Sequence, residues 1–126
     1  MLVKKFDHKV LTVNSIEKSC KFYHNVLGMK IVTFNNGRKA LKFGEQKINL
    51  HEKGHEYNPK AAYPTPGSAD ICLLTDGDIE DVLDELKNKN IQIEQGPIVK
   101  QGALGEMMSI YIRDPDKNLI EVSNYN

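Results

Sequence analysis

Residues 110–122 read IYIRDPDKNLIEV. Two alternating apolar runs flank an Asp-Pro-Asp turn, which predicts two short strands folded back on one another as a hairpin. Side chains alternate along a strand. If Ile120 and Val122 pack beneath a helix, Glu121 therefore faces the other side of the sheet, and Tyr111, set between Ile110 and Ile112, shares that side. A carboxylate among apolar neighbours is costly unless a cation compensates it. Glu121 thus predicts a ligand face, and the rest of the chain must supply its partners.

Upstream of this hairpin the order is strand, helix, strand. SADICLLT (68–75) reads as a strand, DIEDVLDELKNKN (78–90) as a helix with Ile79, Val82, Leu83 and Leu86 inward, and IQIE (91–94) as a strand. The N-terminal half repeats the order. FDHKVLTV (6–13) is a strand, and NSIEKSCKFYHNVLG (14–28) is a helix with Ile16, Cys20, Tyr23 and Leu27 on one face. Asn14 and Glu17 have the spacing of a capping box, and Gly28 supplies the stop. MKIVTF, KALKF and QKINLH then make three strands separated by turns at Asn35–Gly37 and Gly44. The prediction is an α+β chain of two tandem βαβββ modules: about 1–52, a Pro-rich linker or cavity loop at about 53–67, and about 68–126.

Composition narrows the function. The 126 residues suffice for one domain of ordinary size; seventeen basic residues balance seventeen acidic ones, so nothing favours nucleic acid or a polybasic membrane contact. No apolar run approaches the roughly 18 residues of a membrane span, and MLVKKFDHKV lacks the apolar core of a signal peptide. A cytoplasmic protein with a small-molecule partner is expected. Cys20 and Cys72 lie inside apolar patterns and read as buried thiols.

Overlaying the two modules places His8 opposite Asp70 in the opening strands and Glu121 opposite Asn49 in the closing strands. His51 lies two residues beyond Asn49 on the same strand face. Imidazole with carboxylate suits zinc, nickel, manganese or iron(II), and two histidines with one carboxylate leave coordination positions open. The expected metal site is His8, His51 and Glu121, with Asp70 as a fourth ligand or as acceptor from a bound water. Tyr111 is a candidate to orient a substrate oxygen. His24, in a helix, and His55, in the linker, are not expected to ligate, and Met107 and Met108 read as packing.

FDHKVLTV, FYHNVLGMKIV and IYIRDPDKNLIEV, in this order, resemble the vicinal oxygen chelate superfamily, which includes glyoxalase I, extradiol dioxygenases, fosfomycin-resistance enzymes and bleomycin-binding proteins. RKALKFGEQKINLHEKG and PTPGSADICLLT look most like single-domain glyoxalase-domain proteins, some of them described as virulence proteins. The resemblance implies an open, half-barrel mixed sheet around a concave cavity, and a homodimer. His8 and Glu121 match the family's ligand positions. Asn49 and Asp70 depart from its usual glutamate or glutamine and histidine. Three functions follow from the resemblance: a metal-dependent lyase or isomerase acting on neighbouring substrate oxygens, an extradiol-type dioxygenase, or a non-enzymatic drug-binding protein.

Overall fold

The computed structural model describes residues 1–125, which divide into two compact units, 1–67 and 68–125. Each unit is a four-stranded mixed sheet with one helix.

The first unit contains β1 (His8–Val13), α1 (Ile16–Leu27), β2 (Lys30–Phe34), β3 (Arg38–Phe43) and β4 (Gln46–Glu52), in the sheet order β1-β4-β3-β2. β1 runs parallel to β4, and the other two pairs are antiparallel. The register sorts the side chains into two faces. Leu11 pairs with Leu50 and Leu41 with Ile48, and these four are buried together with Val13 and with Cys20, Tyr23 and Val26 of α1. Each fully buried leucine or isoleucine contributes roughly 2 kcal/mol. The opposite face carries His8, Val10 and Thr12 of β1 beside Lys47, Asn49 and His51 of β4.

Sequence spacing misplaced the start of α1 by one residue. Ser15, not Asn14, is the N-cap: its backbone is extended and its hydroxyl accepts from the Lys18 amide at 3.2 Å. Glu17 is consequently not the reciprocal half of a capping box; it lies in the first turn, where a carboxylate favours the helix dipole. Gly28 closes the helix with φ of 70°, and Ile16 and Leu27 are only partly covered, whereas Ser19 and Val26 are buried. Asn35, Asn36 and Gly37 all take positive φ, which makes the β2–β3 connection tight.

The second unit contains β5 (Asp70–Leu74), α2 (Ile79–Asn88), β6 (Gln95–Gly102), β7 (Gly105–Arg113) and β8 (Leu119–Tyr125), ordered β5-β8-β7-β6. Ile110, Ile112, Ile120 and Val122 are buried on one face, as are Ile79 and Leu86 of α2. Glu121 and Tyr111 are paired on the other. Asp78 caps α2 by accepting from the Glu80 amide.

IQIE is not a strand. The Ile91 amide is drawn back to the Leu86 carbonyl, and the ladder begins only at Gln95, with an irregularity before Ile98. The strand that takes its place, QGPIVKQG, was hidden by its glycines and proline, which punctuate turns more often than ladders. Gly96 is at φ 108°, and a β-carbon there would run into the Ser109 carbonyl.

The RDPDKN turn is more than a reversal. The buried Asp114 carboxylate accepts from the Asp116 and Asn118 amides and the Asn118 side-chain amide, while Asn118 Oδ1 accepts from the Ala69 amide. It thereby fixes the entry to β5. Arg113 makes a paired contact with Glu94 at 2.8 and 2.9 Å. Neither sheet closes on itself. Among the described residues, no helix is long and apolar enough to cross a membrane.

Candidate functional site

His8 stands at the exposed start of β1, opposite Lys47. Its Nδ1 donates to the Asp7 carboxylate at 2.8 Å, and this bond holds Asp7 below the usual carboxylate range. The imidazole is thereby oriented with Nε2 as its lone-pair nitrogen, the arrangement that a carboxylate imposes on a metal-binding histidine.

Asn49 sits between Val10 and Ala40 on the same face, 7 % exposed. Its Oδ1 is buried without a hydrogen-bond partner among the described residues. An orphaned buried acceptor costs about 1–3 kcal/mol, which a ligand donor, water or cation would relieve.

His51 lies farther along β4, opposite Thr12 and only 3 % exposed. Thr12 is four steps along β1 from His8, so the register sets His8 and His51 about 13 Å apart along the sheet. That distance does not bring the two imidazoles into one ligand set. His51 has other neighbours. Arg38 donates to its Nε2 at 3.3 Å, the Tyr57 ring meets it edge-on, and the Arg38 guanidinium lies 4.1 Å from the Tyr57 centroid. Burial first, then the Arg38 charge, holds the imidazole below the ordinary histidine value; Glu56 opposes this weakly. Residues 59–64 return to this end of the face, and Pro59, Lys60, Ala61 and Pro64 line with Val10, Thr12 and His51 a half-open cavity of about 240 Å³.

In the second unit, Glu121 pairs with Tyr111 on one side and with Cys72 on the other. Ser109 donates to Glu121 Oε2 at 2.6 Å, and the Ser123 hydroxyl lies 3.3 Å from the same oxygen. One carboxylate oxygen is therefore pinned. The Tyr111 phenol is pushed up to about 12, by burial first and then by its hydrogen bond to Glu121 and the negative charges of Glu121 and Asp70. It is a protonated donor at neutral pH. Asp70 opens β5, exposed, on the Glu121 side of the sheet. Cys72, expected from the sequence to be a buried thiol, is exposed on β5, because its side of the sheet is not covered by α2 as the Ile71 side is; partial desolvation still raises its thiol, so it is not an activated nucleophile.

Among the described residues, no three His, Cys, Asp or Glu side chains are grouped so as to hold an ion. Arg38, Tyr57 and Lys60, and the serines 109 and 123, were not singled out from the sequence. Alternation from Ala40 could have placed Arg38 on this face, and alternation from Glu121 could have placed the serines.

A family model for the glyoxalase/bleomycin resistance protein/dioxygenase superfamily matches residues 5–122. The chain belongs to that superfamily. It is 54% identical over 125 residues to the virulence protein STM3117 of Salmonella typhimurium, covering 99% of this chain and 87% of that protein. The crystal structure of STM3117 superposes with a TM-score of 0.98 over the full length of both chains. The glyoxalase domain-containing protein RDO1 of Mycosarcoma maydis is 50% identical, covering 98% of this chain and 69% of its own. More distantly, glyoxalase I of Saccharomyces cerevisiae is 27% identical over 94% of this chain and 42% of its own length. The sheet order and Glu121 on β8 fit the vicinal oxygen chelate reading made from the sequence.

Proposed function

We propose that the chain is a metal-dependent lyase or isomerase acting on a small substrate with two neighbouring oxygens, with His8 and Glu121 as its principal metal ligands. The observation that carries this reading is their preparation: an acid orients His8, and two serine hydroxyls fix one oxygen of Glu121. Asp70 and the orphaned Asn49 Oδ1 stand, each in its own module, at the positions equivalent to His8 and Glu121, and are the candidates for further donors. One imidazole, two carboxylates and an amide oxygen form a hard set, which favours manganese or iron(II) over zinc or nickel. His51 enters such a set only if Arg38 releases Nε2 and the ring travels toward His8.

When bound, the ion supplies Lewis-acid polarisation of a substrate carbonyl. Through the oxygen its serines leave open, Glu121 would either hold the ion or, when free of it, take the proton from the carbon next to the carbonyl and return it to the neighbouring carbon. Tyr111, neutral below about 12, holds Glu121 by donation and can turn the same proton toward a substrate oxygen. Without a second histidine in the set, support for extradiol chemistry falls away. The drug-binding reading keeps the half-open cavity beside His51 in its favour.

The test is proton exchange. Manganese-loaded protein in deuterated water is expected to wash deuterium into the hydroxyl-bearing carbon of small α-hydroxy-carbonyl compounds, followed by NMR, and Tyr111→Phe is expected to slow this about 10- to 100-fold. Full metal occupancy with no exchange in any compound would refute the enzyme reading.

A further inference from the structure

The cavity beside residues 59–64 lies away from His8, and its polar groups are all donors in waiting. Arg38 can only donate, so the His51 Nε2 it contacts must be the acceptor and the ring proton of neutral His51 must sit on Nδ1. Arg38 thus occupies Nε2 and leaves Nδ1–H as the ring's donor, and His51 is one of the walls of the cavity. Donation from a guanidinium polarises the ring and strengthens Nδ1–H as a donor. Thr12 brings a hydroxyl and Lys60 an ammonium to the same space. Val10, Pro59 and Pro64 make the rest of the wall apolar.

Charge selects the ligand. Lys60 is 3.7 Å from the Glu56 carboxylate, which is itself almost fully buried and held by the Gly54 amide. Among the described residues Arg38 pairs with no carboxylate; its charge is met only by the faces of Tyr57 and Phe34. With His51 neutral, Arg38, Lys60 and Glu56 leave one uncompensated positive charge. A dianion would carry a second negative charge among prolines with nothing to meet it. At about 240 Å³ the space is smaller than the usual drug-sized pocket.

We propose that this cavity binds a small organic monocarboxylate, its carboxylate on His51 Nδ1–H, Thr12 and Lys60 and its apolar body against the prolines. Arg38 acts as a positioning residue: it fixes the tautomer of His51 and supplies the charge. The site goes beyond the metal reading and stands whether or not an ion is bound.

The experiment is titration of chelator-treated protein, by calorimetry and by amide NMR, with acetate, benzoate, uncharged benzamide and inorganic phosphate. Benzoate is expected to saturate a single site and to shift the amides of His51 and residues 59–61, with benzamide and phosphate at least about tenfold weaker, equivalent to roughly 1.4 kcal/mol. Lys60→Met is expected to weaken benzoate about tenfold. Thr12→Val keeps the shape of the side chain and is expected to weaken it about threefold to tenfold without disturbing the fold. Arg38→Met is expected to weaken benzoate and to raise the pH at which His51 titrates, which a merely structural role would not do. Equal binding of benzoate and benzamide, preference for phosphate, or no saturable shift with either carboxylate up to about 10 mM would overturn the proposal. Because the protein is metal-free throughout, failure here leaves the proton-exchange test intact, and failure there leaves this one intact.

Discussion

A buried imidazole beside a guanidinium is held neutral for two reasons that act in the same direction. Burial disfavours the charged ring of His51, and Arg38 repels it. A histidine depressed in the folded state adds stability above its ordinary value of 6.5 and loses it as pH falls through the lower folded value. NMR titration is therefore expected to find that the His51 ring takes up its proton below the ordinary histidine value. Titration near the ordinary value would contradict the Arg38 contact. Residue by residue, the sequence was readable where a polar side chain interrupted an apolar strand: Glu121 falls on the face opposite Ile120 and Val122 that alternation assigned it. It was unreadable where the environment came from afar. His51 looked like a ligand because nothing local in QKINLHE shows that Arg38, thirteen residues earlier, takes its lone pair.

At the scale of elements, hydrophobic period and turn chemistry located seven of the eight strands and both helices, because each buries one face against its partner. β6 escaped. Its Gly96 and Pro97 break the alternation where the β6–β7 register itself breaks, so the signal that marks the irregularity also concealed the strand. Gly96 has a function in that place: only glycine fits between the positive φ and the Ser109 carbonyl. Gly96→Ala is expected to cost about 1–3 kcal/mol in urea unfolding and, by displacing Ser109, to loosen Glu121 as well. An unchanged midpoint would show that the bulge is not constrained as described. The cap of α1 is a smaller case. Ser15→Ala is expected to cost about 1 kcal/mol and Asn14→Ala less, measured the same way; the reverse order would restore the capping box read from the sequence.

The whole molecule repeats one module, and the repeat is visible in the register. His8 and Asp70 open their sheets, and two residues on, Val10 faces Asn49 as Cys72 faces Glu121. Each sheet also ends in two edge strands, which soluble proteins cover or pair. We expect a homodimer; light scattering that gives a monomer at micromolar concentration would contradict it. Spacing along a chain does not measure distance across a sheet, which is why the sequence put His8 and His51, four register steps apart, in one ligand set. The most direct measurement is elemental analysis of protein purified without chelator or affinity metal, beside His8→Ala, Glu121→Ala and His51→Ala variants. About one manganese or iron ion per chain, lost with His8 or Glu121 and kept with His51, is the expected result. No ion in the unaltered protein, and none taken up from added manganese, iron(II), nickel or zinc, would contradict metal dependence.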